Sequence, residues 1–388
     1  MKRLGSGLRT YVIALIAAGL PLAANADDRL YWGTEAEVGA IRAASLDGSG
    51  APSDVFGGEG GPCGIAIDPA AGKIYWANFQ SDGIRVANLD GSGTAATLYA
   101  DEGSLCGVAL DVAAGNIYWA NFSDDAIRVA SLDGSGAPST LYQEAPGAGP
   151  SGVAIDPAAG TIYWTNQFSD EVRVGSLDGS AAAATLVSGE DNPLGVAIDR
   201  RAGKIYWAQL GVCCSPTGSI RAANLDGTGV ATLFSGEIAP AGVAIDPDTQ
   251  QIYWANFGTG EIRLGNLDGT GSAATLYGDE NKPLFPVLLK APVSTVAPNI
   301  SGGAKVGRTL TCQAGGWAPD LSGAFLFRAP RTFAYQWIQD GADVPGAEQA
   351  TFVPAEAGSY SCRVSASNRA GSTSRTSQVK KVKERSGR

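Results

Sequence analysis

Residues 62–99 read PCGIAIDPAAGKIYWANFQSDGIRVANLDGSGTAATLY, and this stretch decides the fold. It holds four short runs of β-branched and aromatic residues separated by Gly, Pro, Asp and Ser, a pattern that predicts four short β-strands. The Tyr-Trp pair at its centre recurs at spacings of 43 to 47 residues. A four-stranded unit with this period is typical of one blade of a β-propeller. The six pairs are Tyr31-Trp32, Tyr75-Trp76, Tyr118-Trp119, Tyr163-Trp164, Tyr206-Trp207 and Tyr253-Trp254.

The number of repeats predicts an all-β fold with a six-bladed propeller over residues 27–292. A blade cannot bury both of its faces alone, whereas blades arranged in a ring cover one another. The first unit begins at its second strand, and residues 286–290 align with the inner-strand residues 64–68. We therefore expect the end of the repeat region to supply the missing inner strand and to close the ring, with residues 287–289 beside residues 30–32.

The large, identically placed rings of each Tyr-Trp pair are interpreted as packing between blades. Carbohydrate stacking is the alternative role for the same rings, which keeps a carbohydrate ligand among the candidates. The Leu-Asp-Gly triplet that ends each third strand places Asp and Gly where a hairpin turn needs left-handed geometry. These aspartates are interpreted as turn formers rather than ligands.

These Tyr-Trp repeats, each preceded by an inner strand and followed by Leu-Asp-Gly, resemble the YWTD propeller of the low-density lipoprotein receptor family (class B repeats). The family's Thr-Asp is replaced here, for example by Ala77-Asn78 and Ala208-Gln209. Its acidic group is absent at all six positions, and the EGF modules of the receptors are absent too. The resemblance therefore implies the fold, but not an endocytic receptor role.

Composition excludes several classes of function. The 388 residues include no His, which removes Ser-His-Asp and Cys-His catalysis and the favoured nitrogen ligand of zinc. A net charge of −10 argues against nucleic acid as a partner. A basic start, an apolar run over residues 11–24 and Ala24-Asn25-Ala26 predict a signal peptide at residues 1–26. We expect a secreted, periplasmic or cell-surface protein without a membrane span.

Residues 293–380 are predicted to form a second domain, followed by a basic tail at residues 381–388. The part after residue 292 has a net charge of +6, against −19 for residues 27–292. The spacing of Cys312, Trp337 and Cys362 is that of an immunoglobulin β-sandwich, and Tyr360 fits a tyrosine corner. The segment resembles bacterial immunoglobulin-like domains, which implies a Cys312–Cys362 disulfide and a role as a spacer or an adhesive module.

The other four cysteines leave alternatives open. Cys63 and Cys106 occupy the same position of successive inner strands, at the mouth of the central channel, and form either a disulfide or two buried thiols. Adjacent Cys213 and Cys214 can form a vicinal disulfide, which we interpret as a structural clip rather than a redox centre. No metal site is predicted from these residues.

One face of the ring is predicted to be acidic and to carry aromatic rings. Two classes of loop share this face: those from an outer strand to the next inner strand, and those from a second to a third strand. They contain 17 carboxylates opposed by Lys282 alone. Arginines at the start of each third strand are expected to pair with loop carboxylates between blades. The candidate binding residues are Asp82, Asp124, Asp125, Asp170, Glu171, Glu261, Phe79, Phe122 and Phe257.

We predict an exported, non-enzymatic binding or scaffold protein that presents this acidic face to a protein or peptide, in particular a cationic one. No catalytic residues are assigned and no cofactor is expected, although paired carboxylates also suit Ca²⁺. The alternative is a Ca²⁺-dependent hydrolase or lyase of the six-bladed propeller type. That enzyme would need several Asp, Glu or Asn side chains to converge in the channel, whose mouth residues are Cys63, Cys106, Ser151, Leu194, Ala241 and Phe285.

Overall fold

The computed structural model describes residues 28–35, 38–81, 83–212 and 215–385. The predicted signal peptide, Asp82, Cys213 and Cys214 lie outside these ranges. Across the described residues the fold is nearly all β, as the sequence predicts, and the one helical element is a short 3₁₀ turn. No helix in these ranges has the length and hydropathy that a membrane span requires.

Twenty-four strands account for the repeat region, and their order follows the predicted pattern of four strands per repeat. In chain order they are β1 (Arg29–Thr34), β2 (Gly39–Ser45), β3 (Ser53–Glu59), β4 (Pro62–Asp68), β5 (Lys73–Asn78), β6 (Gly83–Asn88), β7 (Ala96–Ala100), β8 (Leu105–Asp111), β9 (Asn116–Asn121), β10 (Ala126–Ser131), β11 (Ser139–Gln143), β12 (Pro150–Asp156), β13 (Thr161–Asn166), β14 (Glu171–Ser176), β15 (Ala184–Ser188), β16 (Pro193–Asp199), β17 (Lys204–Gln209), β18 (Gly218–Asn224), β19 (Ala231–Glu237), β20 (Pro240–Asp246), β21 (Gln251–Asn256), β22 (Glu261–Asn266), β23 (Ala274–Tyr277) and β24 (Pro283–Leu289).

These strands form antiparallel sheets that follow the chain. Sheet 1 has the order β24-β1-β2-β3, and sheets 2 to 6 are β4–β7, β8–β11, β12–β15, β16–β19 and β20–β23. The first strand of each sheet is buried along its whole length. Each of these inner strands contacts the next, and β24 contacts β4, so the inner strands form a closed ring.

The predicted closure is confirmed, with a correction of one residue. β24 pairs antiparallel with β1, so that Tyr31 lies opposite Val287 and Leu30 opposite Leu288. In sheet 2 the equivalent tyrosine, Tyr75, lies opposite Ala66. Phe285 is therefore equivalent to Gly64, and Leu284 takes the place of Cys63. The alignment from sequence was wrong by one position because β24 has a proline at 286 where the other inner strands have an aliphatic residue.

The six tryptophans pack between neighbouring sheets, as predicted. All six are 0% exposed, and five stack on an aromatic ring of the preceding outer strand, as Trp76 does on Phe56 with ring centroids 5.6 Å apart. The tyrosines of the pairs are also buried. Carbohydrate stacking on these rings is therefore wrong, since no ligand can reach their faces.

The remaining strands form three small sheets after residue 293. They are β25 (Ser294–Val296), β26 (Asn299–Gly302), β27 (Leu310–Gln313), β28 (Gly316–Trp317), β29 (Leu326–Phe327), β30 (Thr332–Gln339), β31 (Ala342–Asp343), β32 (Thr351–Phe352), β33 (Gly358–Asn368), β34 (Gly371–Thr376) and β35 (Lys380–Val382), with the 3₁₀ turn at Ser322–Ala324. β29 is the exception, because it joins sheet 1.

The predicted disulfide and tyrosine hydrogen bond are present in this region. Cys312 on β27 is bonded to Cys362 on β33, and Trp337 packs beside them without exposure to solvent. The Tyr360 hydroxyl donates a hydrogen bond to the Glu356 carbonyl at 3.0 Å. These contacts join the sheet that contains β27 to the sheet that contains β33.

Residues 319–328, here called the plug, enter the end of the ring at which the inner strands terminate. β29 lies parallel to β24, and the amides of Leu288 and Lys290 donate hydrogen bonds to plug carbonyls at 2.8 Å. The 3₁₀ turn of the plug contacts β8, β12, β16 and β20. A Cβ on Gly323 would lie 2.4 Å from the Ile198 side chain. The second region is thus packed against the ring, which a spacer role alone does not predict.

The plug contributes strongly to stability, because Leu326 is fully buried in the main apolar core. We expect Leu326→Ala to lower the free energy of unfolding by about 2–5 kcal/mol, since the substitution leaves a cavity where the ring is closed. Urea denaturation measures the change. The control is Val379→Ala at a position that is 61% exposed. Equal stability of the two variants would contradict this role of the plug.

The aspartates of the Leu-Asp-Gly triplets cap their own turns, as predicted. In Asp133, Oδ1 accepts hydrogen bonds from the Ser131 hydroxyl at 2.7 Å and from the Ser135 amide at 2.8 Å. Hydrogen bonds from Ser135 and then Ser131 lower the pKa of Asp133 from 3.8 to about 2. Because the folded-state pKa is depressed, the stabilisation is present above about pH 4 and is lost as the pH falls through about 2.

This capping gives a pH-dependent prediction. The amide oxygen of Asn can accept the same hydrogen bonds without the charge, so Asp133→Asn removes mainly the charge-dependent part. We expect the wild type to exceed this variant in free energy of unfolding at neutral pH, and the difference to vanish near pH 2. Urea titrations across that range measure it. A difference that is independent of pH would show that the charge of the cap does not stabilise the turn.

Candidate functional site

The ring has two faces with different chemistry. The mouth face carries the beginnings of the inner strands and the loops between second and third strands. The turn face carries the ends of the inner strands, the Leu-Asp-Gly turns and the plug. Of the candidate binding residues that the structure describes, Glu171 and Glu261 begin β14 and β22 at the mouth face, and the others lie in loops of this face.

Six glutamates lie at the junctions between sheets; five are buried and Glu102 is half-buried, so their assignment to an exposed acidic surface is wrong. Each ends an outer strand or follows it, and forms an ion pair with the arginine on the third strand of the next sheet, which confirms the predicted role of the arginines. The pairs are Glu59–Arg85, Glu102–Arg128, Glu144–Arg173, Glu190–Arg221, Glu237–Arg263 and Glu280–Arg42.

Glu190 shows the complete arrangement. Its carboxylate accepts hydrogen bonds from Arg221 through two guanidinium nitrogens at 3.0 and 2.9 Å, and from Trp207 Nε1 at 2.9 Å. The carboxylate thus joins the outer edge of one sheet to the second and third strands of the next. Sequence could not show this burial, because a glutamate beside a glycine in a loop is normally exposed.

Two junctions are incomplete. The indole nitrogens of Trp119 and Trp164 are buried and have no hydrogen-bond partner among the described residues. The nearest junction carboxylates, Glu102 and Glu144, bond instead to Arg128 and to Asn166 with Arg173. The junctions are therefore not equal in strength.

The centre of the mouth face holds an apolar cavity of about 170 Å³. The rings of Phe79, Phe122 and Phe257 lie around it, so the structure brings the three predicted aromatic residues to one place. The remaining lining residues are Glu35, Cys63, Cys106, Ser151, Gln167, Leu194, Leu210, Ala241, Leu284 and Phe285. The cavity is a shallow apolar pocket at the end of the channel.

The floor of this cavity is formed where one inner strand, β24, departs from the sequence pattern of the other five. Five inner strands approach their neighbours through glycine, and a Cβ on Gly242 would lie 2.4 Å from the Cα of Phe285. The sixth strand has Phe285 itself at that position, with a φ of 26° that is strained for a bulky residue. Its ring lies in the channel mouth against Gly195 and Gly242. Strain of this kind is found at functional sites.

The predicted carboxylates are not gathered around the cavity. The Asp125 carboxylate accepts hydrogen bonds from the Gly147 and Gly149 amides at 2.7 and 2.9 Å, and Asp170 accepts one from the Asn192 amide. Each of these two side chains thus joins its loop to the loop that follows the outer strand of the same sheet. Asp124 is exposed and bonds to the Asn121 amide. Of the predicted aspartates, Asp82 lies outside the described residues.

Glu171 and Glu261 have the same role in two different sheets. Each accepts hydrogen bonds from two side-chain hydroxyls, and each lies near the arginine two residues later, at 3.6 and 3.5 Å. Hydrogen bonds from the Thr275 and Thr259 hydroxyls outweigh burial and lower the pKa of Glu261. Both carboxylates are half-buried and have hydrogen-bond partners.

Several further residues contribute to the surface of this face. Phe168 is 58% exposed and packs edge-on against Phe122 with ring centroids 5.3 Å apart. Val38 and Val212, from two other loops of the face, are exposed as well. The Lys282 ammonium lies 5.1 Å from the centroid of the Phe257 ring. Burial raises the pKa of Glu35, although Lys282 partly opposes the shift.

Of the two alternatives for the cysteines of the channel mouth, a disulfide or two buried thiols, the structure contains the disulfide. Cys63 and Cys106 are bonded, with their Cα atoms 5.0 Å apart, and join the inner strands of sheets 2 and 3. Within the described ranges, no three His, Cys, Asp or Glu side chains lie close enough together to hold a metal ion. The described part of the mouth combines apolar contact with charge.

Comparisons with solved structures agree with this geometry. A chain of the crystal structure of a nidogen/laminin complex is 20% identical over 67% of this chain and 98% of its own length, with a TM-score of 0.59. TolB from Acinetobacter baumannii is 14% identical over 67% of this chain and 66% of its own, with a TM-score of 0.53. The fold is that of a β-propeller. No protein-family model matches the sequence, and no curated protein matches it.

The unequal junctions give a stability prediction. Removing the charge of a buried, fully bonded carboxylate leaves its arginine without a counterion, which typically lowers the free energy of unfolding by about 3–5 kcal/mol. We expect Glu190→Gln to lower the free energy of unfolding by about that amount, and Glu102→Gln to lower it less, because the Trp119 nitrogen is already unpaired. Urea denaturation of the two variants measures the difference. The reverse order would contradict the assignment of the complete junction.

Proposed function

We propose that this protein is an exported, non-enzymatic binding protein whose mouth face takes up a protein or peptide. The proposed organisation is a signal peptide, a six-bladed YWTD-like propeller over residues 27–292, an immunoglobulin-like β-sandwich over residues 293–380 and a basic tail. The closed ring of inner strands supports the propeller assignment. The bridge between Cys312 and Cys362 supports the sandwich.

Export is supported by two disulfides, because such bonds persist in oxidising compartments. A nidogen/laminin complex is an assembly of proteins, and the likeness of one of its chains to this one favours a protein partner over a small substrate. The Ca²⁺-dependent hydrolase or lyase remains the second candidate. It lacks a supporting cluster of carboxylates among the described residues.

The observation that carries the proposal is the apolar centre of the mouth face, whose loops also carry exposed negative charge. Phe168, Val38 and Val212 expose apolar surface on this face, and exposed apolar surface of this kind marks protein interaction sites. Exposed Asp101, Asp124, Asp191 and Asp279 belong to loops of the same face. In the described loops of this face, Lys282 is the single cation, since the arginines pair with buried glutamates. Such a surface suits an apolar side chain flanked by Lys or Arg.

The test uses peptides selected from a random displayed library on the immobilised mature protein. We expect selected peptides to combine an aromatic or aliphatic residue with basic neighbours. Phe168→Ala should weaken their binding by about tenfold, because large aromatic side chains at the centre of an interface contribute most of the affinity. Fluorescence anisotropy measures the dissociation constants.

Phe333→Ala is the matched control, since Phe333 is a half-exposed phenylalanine outside the mouth face. It should leave the affinity unchanged. Binding should also weaken with added salt, because exposed charges are screened. Selection of acidic peptides, or equal affinity of the two phenylalanine variants, would refute the proposed surface.

A further inference from the structure

A larger cavity lies on the turn face, away from the proposed protein-binding surface. It has a volume of about 670 Å³, is partly open to solvent and lies between the ends of four inner strands and the plug. Its walls are mainly apolar and include Pro69, Val112, Pro157 and Leu321. This size is within the usual range for a small-ligand pocket.

Four equivalent aspartates end these inner strands and line the cavity: Asp68, Asp111, Asp156 and Asp199. All four are more than nine-tenths buried. In each, Oδ1 accepts hydrogen bonds from amides of the following turn, which orients the carboxylate. Oδ2 accepts none from any described residue.

The corresponding aspartate of sheet 6 shows which group satisfies such a carboxylate. Asp246 is 0% exposed, and its Oδ2 receives the Lys290 ammonium at 2.6 Å. Arg328 of the plug approaches Oδ1 at 3.9 Å. Although burial alone would raise the pKa of Asp246, Lys290 lowers it below its ordinary value. A buried carboxylate without such a partner carries a large desolvation cost.

Of the other four aspartates, Asp156 receives a cation, since Arg200 lies 3.0 Å from it. The other lining arginines, Arg201 and Arg331, pair with Asp248 and Asp320. Among the described residues, Asp68, Asp111 and Asp199 therefore line the cavity without a paired cation. The described residues include no group of three acidic side chains close enough to hold one metal ion, so a compact divalent cation does not match their spacing.

We propose that this cavity binds an aliphatic ammonium group. Its apolar walls suit a polymethylene chain, and any one of the three carboxylates suits an amine at the end of that chain, as Asp246 suits the amine of Lys290. Both the side chain of a lysine and a free diamine have this chemistry. The site is independent of the mouth face, so either proposal can fail alone.

The experiment is isothermal titration calorimetry of the full mature chain with cadaverine and with N-acetyl-lysine amide. Binding of both shows that one ammonium is sufficient, whereas binding of cadaverine alone identifies a free diamine as the ligand. Pentanol has the same alkyl chain without charge and should not bind. The triple variant Asp68→Asn, Asp111→Asn and Asp199→Asn keeps an oxygen for each turn amide and should weaken binding by about tenfold or more.

Asp133→Asn is the matched control, because it also removes a turn-capping charge from the same face but lies outside the cavity lining. It should change the affinity less than about twofold. If the triple variant does not fold, the three single variants, each checked by circular dichroism, carry the comparison. Failure of both amines to bind the wild type, or their equal binding to wild type and cavity variants, would overturn the proposal.

Discussion

The antiparallel pairing of β24 with β1 is the constraint on which the rest of the structure depends. Each sheet buries its apolar faces against its neighbours, so a ring that is open at one junction would expose the surfaces of two sheets at once. The pairing joins Val287 to Tyr31, residues at opposite ends of the repeat region. On its other edge β24 is paired with β29 of the plug. The closing strand is thus held from both sides, and the second region contributes directly to closure.

A closed ring also determines how near the inner strands approach. Glycines let the backbones of neighbouring strands come together, as Gly64 does against Gly107, where a Cβ would lie 2.7 Å from the neighbouring Cα. Farther out the sheets diverge, and tryptophan fills the space between them. The junction glutamates occupy the same wedge-shaped space near the mouth face, where a carboxylate such as Glu190 reaches indole and guanidinium groups of the next sheet. Small residues, aromatic rings and buried ion pairs therefore follow one another from the axis outward.

Much of the ring was predictable because the same sequence pattern recurs in every repeat. The Tyr-Trp spacing gave the strands, and the missing first strand gave the closure. The predictions that were wrong concern single positions at which the chain departs from the repeat or contacts a neighbouring sheet. The irregular β24 shifted the alignment by one residue, so that Phe285 was assigned the place of Leu284. Loop composition could not separate a buried glutamate such as Glu190 from an exposed Asp191, because burial there depends on the neighbouring sheet. The plug was not foreseen either, since its contacts join residues that the sequence places in separate domains.

Sheet 1 breaks the repeat at both faces of the ring. A symmetric ring would present six equal positions and could not favour one ligand orientation over another. At the mouth face, the sixth inner strand substitutes Phe285 for glycine and fills the channel. At the turn face, the same strand ends in Leu289 rather than aspartate, and Lys290 then crosses to Asp246. Asp246 is thereby paired with a cation of the same chain, whereas Asp68, Asp111 and Asp199 have no such partner among the described residues. Closing the ring with a strand from the far end of the repeats therefore also creates the asymmetry that binding requires.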